Sequence, residues 1–190
     1  MNTLAHLYLS GDDPALLLGN FIGDSVRGTE FAQLETSVQA GVIMHREIDR
    51  YTDSHPVVKA LCQLMRNDFG RYATVVADVF MDHFLARDWS RFHHQSLERY
   101  TDWVHRTLDP QLKNCPDRSQ RYFDYLRSTD TLLHYRSKEG IARTLAQMAQ
   151  RTRFGSGMEN AGQVLDRLYQ DLEDGFEVFF PDLMKFAASR

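Results

Sequence analysis

The residues of this chain whose types and spacing could do chemistry fall in three stretches. His45 and Asp49 are four apart and share one face of any helix that carries them, on an apolar stripe through Val38, Gly41, Val42 and Ile48 that ends at Asp53. Residues 74–86 read TVVADVFMDHFLA, in which Asp78 and Asp82 are again four apart, with His83 beside them in otherwise apolar surroundings. Near the start, His6 interrupts Leu4-Ala5-His6-Leu7, and Asp24 stands within the glycine-flanked run from Gly19 to Gly28. An ionised carboxylate in a core demands compensation by a charge, by hydrogen bonds or by a metal. Carboxylates and imidazoles together make a ligand set for a divalent cation. With oxygen and nitrogen donors and no thiolate, softness favours Mn²⁺ or Mg²⁺ over Fe²⁺ or Zn²⁺.

Each stretch also has a purely structural account. His45 and Asp49 can form an intrahelical hydrogen bond at a core edge. Asp78 can serve as a helix N-terminal acid, Asp82 as the partner of an arginine, and His6 as a hydrogen-bonded core histidine. What sets these residues apart is that three separate stretches supply them at once. His93, His94, His105 and His134 lie in polar or surface-type contexts and read as structural. The chain contains no H-E-x-x-H, no phosphate-binding G-x-x-x-x-G-K-[ST] loop, no G-x-S-x-G elbow and no Glu-x-x-His pair.

The elements that must position these groups read as helices. Periodicity predicts one amphipathic helix over Glu30–Asp53, a second starting at Pro56 and capped at Gly70, and a strongly apolar one over Thr74–Ala86. Further helices are expected over Ser96–Leu108, Ser119–Arg127, Thr131–Arg136 and Gly140–Arg151, with a long one over Met158–Phe180 stopped by Pro181. No segment alternates like a half-buried strand, so the chain is expected to be an all-α, compact helical bundle forming a single domain over residues 1–190. Gly155-Ser156-Gly157 reads as a joint between two helices.

Composition agrees with a globular protein: 43% of the 190 residues are apolar and 25% charged. A domain of this size buries about 70% of its unfolded surface, so any metal is there for chemistry and not to hold the fold. Two isolated cysteines, Cys62 and Cys115, exclude a disulfide scaffold and cysteine zinc sites, and no stretch has the length of a membrane span or a signal-peptide core; the expectation is a cytoplasmic protein. The net charge of −4 speaks against general nucleic-acid binding. Of 22 basic residues only four are lysines, and arginine's planar fork suits carboxylates and phosphates, although arginine-favouring codons give the same bias.

Four motifs in order carry a family resemblance: Met1-Asn2-x-Leu4-Ala5-His6-Leu7-x-Leu9; Gly19-Asn20-x-x-x-Asp24-x-Val26-Arg27-Gly28; His45-Arg46-x-Ile48-Asp49-x-x-Thr52-Asp53; and Asp78-x-x-x-Asp82-His83-Phe84-Leu85-x-x-x-Trp89. Over its first ninety residues the chain resembles the bacterial acyl-carrier-protein phosphodiesterases, with Thr3 where a bulky apolar residue is expected. The resemblance implies an all-α fold, a divergent relative of the HD-type metal phosphohydrolases. It implies cleavage of the phosphodiester between 4′-phosphopantetheine and a serine of holo-acyl carrier protein, dependent on Mn²⁺ or Mg²⁺. No His is followed by Asp in this chain, so the HD dipeptide itself is absent and only the reversed pair Asp82-His83 occurs.

On this reading Asp24, His45, Asp82 and His83 are expected to face the metal, with Asp49 orienting His45. Asp24, His83 and His6 are the expected catalytic groups, His6 as general acid for the leaving serine oxygen. Arg27 and Arg46 are expected to clamp phosphate, and Arg50, Arg66 and Arg71 to meet an acidic acyl carrier protein. Two other readings compete: a metal phosphohydrolase acting on a nucleotide or another small phosphate ester, and a non-catalytic helical module that binds a protein partner.

Overall fold

Two short helices open the chain, α1 (Thr3–Leu9) and α2 (Pro14–Ile22). Their apolar runs are too short to display a period, but α2 carries the local signals of a helix start. Pro14 occupies its first turn, and the Asp13 carboxylate accepts from the Ala15 and Leu16 amides. In the computed structural model, which describes residues 1–190, every regular element is helical and no strand occurs.

The stripe expected as one helix over Glu30–Asp53 is interrupted. It forms α3 (Thr29–Gln33) and α4 (Thr36–Ser54), with Leu34 and Glu35 extended at ψ 151° and 147°. The Gln39 side-chain amide donates to the Leu34 carbonyl at 2.8 Å and supplies the bond that the broken backbone forgoes. Helices α2 and α4 then meet at backbone contact. A Cβ on Gly19 would lie 2.1 Å from the Val38 carbonyl oxygen, and one on Gly41 2.5 Å from that of Leu16, so neither position has room for a side chain.

The helix expected from Pro56 to Gly70 starts and stops as predicted, but a break at Met65 divides it into α5 (Pro56–Leu64) and α6 (Arg66–Phe69). Gly70 adopts φ +53°, which a glycine reaches without strain. Helix α7 (Ala73–Arg87) runs through the core with eleven of its fifteen residues buried. Helices α8 (Leu97–Leu108), α9 (Asp117–Ser128), α10 (Thr131–His134) and α11 (Lys138–Ala149) follow, with Ser96 and Ser137 capping α8 and α11.

The last expected helix is two, α12 (Ala161–Arg167) and α13 (Tyr169–Ala188), preceded by a 3₁₀ turn at Met158–Asn160. Pro181 does not stop α13. Proline forfeits one backbone bond, but Leu183 and Ala187 are buried beyond it and Phe186 stacks on Tyr51 with ring centroids 4.4 Å apart. That packing outweighs the loss. A contiguous cluster of 47 buried apolar residues extends from Met1 to Leu183. No helix is long and apolar enough to cross a membrane.

Candidate metal centre

The close approach of α2 to α4, with α1 laid beside them, brings three short stretches of sequence to one cavity of about 650 Å³. Its inner end carries His6 from α1, Asn20 from α2, His45 and Asp49 from α4, and Asp24 just past α2. Asp49 joins the two imidazoles: Oδ1 lies 3.0 Å from His6 Nε2 and Oδ2 lies 3.2 Å from His45 Nε2. Asp24 reaches in from the solvent side, its Oδ1 3.3 Å from His45 Nε2. The two rings stack with centroids 4.1 Å apart and planes inclined by 25°. Glycine makes room for this, since a Cβ on Gly23 would fall 2.4 Å from His45 Cγ.

Asn20 fixes how the rings are protonated. Its amide nitrogen donates to the His6 carbonyl at 2.8 Å and lies 3.0 Å from Ser10 Oγ, so its oxygen is left to accept. That oxygen lies 2.7 Å from His6 Nδ1 and 3.2 Å from His45 Nδ1, and each Nδ1 therefore carries a proton. Both Nε2 atoms then face carboxylate oxygens.

Burial holds His6 below the usual histidine range, against the pull of Asp49. His6 Nε2 and Asp49 Oδ1 face each other at 3.0 Å. For His45, burial also works against the charged ring, but the Asp24 and Asp49 carboxylates outweigh it and push the pKa up to about 9. Burial would raise Asp49, yet His45 and His6 hold it well below the carboxylate range; His45 likewise lowers Asp24. His45 Nε2 is buried and makes no well-aligned hydrogen bond, although two carboxylate oxygens lie near it. A cation among these atoms would give the buried His45 Nε2 the partner it lacks. The donor set of imidazole nitrogens and carboxylate oxygens suits Mn²⁺ or Mg²⁺, and the ligand atoms of His6, His45 and Asp49 lie within 4.8 Å of one another.

Asp82 and His83, expected to face the metal, are not brought to this cluster. Adjacent residues on a helix point about 100° apart, and here they turn to different neighbours. Asp82 is fully buried and caps α1, its oxygens accepting from the Leu4 amide at 2.7 Å and the Ala5 amide at 3.2 Å. His83 points elsewhere, with Nδ1 donating to the Tyr135 carbonyl at 2.8 Å and Nε2 accepting from the Tyr169 hydroxyl at 2.9 Å. Both nitrogens are thus engaged by protein groups away from the cavity. His6, expected as a general acid, sits on the cavity with His45 and Asp49. Asp78 does line the cavity and lies 3.0 Å from the Met1 amino group.

The expected phosphate clamps are also elsewhere. Arg46 donates to the Val26 carbonyl at 3.2 Å and lies over the Phe31 ring, while Arg27 is exposed, its backbone amide bound by Glu30. Neither lines the cavity; nor do Arg50, Arg66 or Arg71. The arginines that do are Arg118 and Arg121 of α9 and Arg151 beyond α11, which single-residue reading could not distinguish from fifteen other arginines. A signal existed for two of them: Arg118, Arg121, Tyr122 and Tyr125 fall at i, i+3, i+4 and i+7 on one face of α9.

The family model described as acyl carrier protein phosphodiesterase matches residues 1–183. The chain belongs to the acyl carrier protein phosphodiesterase family. It is 34% identical over 188 residues to the acyl carrier protein phosphodiesterase of Yersinia pestis, covering 98% of this chain and 97% of that one. It is 35% identical to that of Enterobacter sp. (strain 638) and 34% identical to that of Escherichia coli O6:H1, in both cases over 100% of this chain and 99% of the relative. No solved structure matches this chain.

Proposed function

We propose that this chain hydrolyses the phosphodiester joining 4′-phosphopantetheine to a serine of holo-acyl carrier protein, giving apo-acyl carrier protein and free 4′-phosphopantetheine, with Mn²⁺ or Mg²⁺ as cofactor. The observation that carries this is the convergence of His6, His45 and Asp49 on one point at the end of an open cavity, together with membership of the family.

His6, His45 and Asp49 would hold the metal, with Asp24 beside them. When bound there, a divalent cation supplies Lewis-acid polarisation of the phosphoryl oxygens. The protein's own groups do the rest. Asn20 holds both imidazoles in one tautomer and in register with each other. Asp49 ties the two rings together through its two oxygens. Asp24 is the most exposed member of the set, with 77% of its side chain open to solvent, and only one of its oxygens engages His45. The other is free to accept a hydrogen bond from an attacking water and orient it. Water adds to phosphorus, the bond from phosphorus to the serine oxygen breaks, and that oxygen takes up the proton the water gives up. The cavity volume of about 650 Å³ is in the range that accommodates a small organic arm.

The test is the mass of holo-acyl carrier protein before and after incubation with the purified protein and Mn²⁺. The expected result is loss of the phosphopantetheine mass, abolished by a chelator and restored by added Mn²⁺. An unchanged mass in the presence of Mn²⁺ overturns the reading.

A further inference from the structure

We propose that Arg118, Arg121 and Arg151 form an anion-holding wall of the cavity that grips the phosphoryl group of the substrate from the α9 and α11 side. This rests on the phosphodiesterase reading for the identity of the anion, but not for the existence of the site.

The cavity has two chemically distinct sides. Its carboxylates are already engaged: Asp24 and Asp49 by His45 and His6, and Asp78 by the Met1 amino group. Its arginines are not. The side chains of Arg118, Arg121 and Arg151 form no ion pair and no hydrogen bond, whereas those of Arg87, Arg91, Arg136 and Arg167 all reach carboxylates elsewhere on the molecule. Arg118 and Arg121 are three apart on α9 and so project together. The guanidinium of Arg151 lies 5.1 Å from the centre of the Tyr125 ring, which pre-positions it beside them.

The tyrosines of the same stripe are anchored. Tyr122 shares a hydrogen bond of 2.5 Å with Thr3 and stacks on Phe21, and the Tyr125 hydroxyl donates to Gln147. A fixed aromatic floor therefore carries guanidinium groups with no partner, three cations in one concave site. Planar guanidinium groups match the tetrahedral oxygens of a phosphate better than a point charge does. Met148 and Val75 add apolar surface for the uncharged remainder of a phosphate ester. The bound species is thus a phosphate ester with an uncharged arm.

The experiment titrates inorganic phosphate into chelator-treated protein at low ionic strength. It compares the wild type with Arg118→Gln, Arg121→Gln, Arg151→Gln, the triple variant and the triple Arg→Lys variant. The same proteins, loaded with Mn²⁺, are then assayed on holo-acyl carrier protein. All three side chains are exposed, and circular dichroism checks that the fold is retained. Each single Gln variant is expected to lose about tenfold in phosphate affinity, with the Lys variant regaining part of it, and KM is expected to rise while kcat changes little. A wild type that binds no phosphate at millimolar concentration overturns the wall, as does a triple Gln variant with wild-type affinity and KM. If the Gln variants lose phosphate but the wild type leaves holo-acyl carrier protein intact, the wall stands and the activity reading falls. If the wild type hydrolyses carrier protein and the triple Gln variant matches it in both measurements, the reverse holds.

Discussion

His45 with Asp49 on α4 and Asp82 with His83 on α7 are spelled from the same two residue types, yet one pair forms part of a cavity-facing cluster and the other is consumed inside the fold. The difference is the direction in which each side chain leaves its helix. Residues four apart stand one above the other on a helix and can act on one point, whereas neighbours in sequence diverge. His45 and Asp49 therefore meet His6 and Asp24 at the cavity, while Asp82 turns to the start of α1 and His83 turns to Tyr135 and Tyr169. Spacing alone does not decide it, since Asp78 lines the cavity while Asp82, four residues on, does not.

The largest expected effect comes from breaking the α4 pair. His45→Ala and Asp49→Ala should each lower kcat/KM on holo-acyl carrier protein by about 10²–10⁴-fold with Mn²⁺ present, with helical circular dichroism unchanged. Asp82 should behave in the opposite way. Asp82→Ala leaves the Leu4 and Ala5 amides buried without acceptors and should cost about 2–4 kcal/mol of stability, read by denaturant titration, with the folded protein still active. Wild-type activity from Asp49→Ala, or wild-type stability from Asp82→Ala, would erase the contrast.

The same carboxylate predicts a pH signature. Burial pushes Asp82 up to about 7, against the pull of the Leu4 amide and the Met1 amino group, from an ordinary value of 3.8. The folded state then holds a proton that the unfolded state has released between pH 3.8 and about 7. This group's contribution to stability is complete below the lower value and is lost as pH rises through the upper one. Stability followed from pH 4 to 8 should fall less steeply with rising pH in Asp82→Asn than in the wild type; parallel curves would show that Asp82 titrates normally.

The sequence made the helical class legible because apolar residues recur at helical spacing through most of the chain, and it made His45 and Asp49 legible because both lie on one stripe. It hid the break at Leu34 and Glu35, because the apolar rhythm runs straight through and the bond that compensates the break comes from the Gln39 side chain. It also hid the role of Asn20, an ordinary amide until the contact of Gly19 with Gly41 sets α2 against α4. The arginine wall stayed largely out of view because what distinguishes Arg118, Arg121 and Arg151 among the arginines is their place on the cavity, a property of three dimensions.

Gly23→Ala probes how tightly the α4 side of the comparison is held. The backbone at Gly23 is helical, at φ −49° and ψ −43°, so alanine is acceptable to the chain, but its Cβ would meet His45 Cγ at 2.4 Å and must move the ring. Activity should fall about 10–100-fold, less than for removal of the imidazole, because the ligand remains but is displaced. An unchanged kcat/KM would mean that the position of His45 tolerates more freedom than the stacked pair with His6 implies.

The smallest effect is expected on the other side of the comparison, at His83. Burial lowers its pKa, so the ring is neutral, donating through Nδ1 and accepting at Nε2 from Tyr169, whose hydroxyl in turn accepts from Arg87 at 2.9 Å. Tyr169→Phe removes the donor to Nε2 while keeping the aromatic packing on Phe84, and should cost only about 1 kcal/mol. His83→Gln retains one donor and one acceptor and should cost about 1–2 kcal/mol, mostly in packing. In both variants kcat/KM per folded molecule should stay within about twofold of the wild type, because neither side chain lines the cavity. Measured beside His45→Ala, a loss in His83→Gln of the size expected for a metal ligand would return the α7 pair to the active site and overturn the contrast between the two.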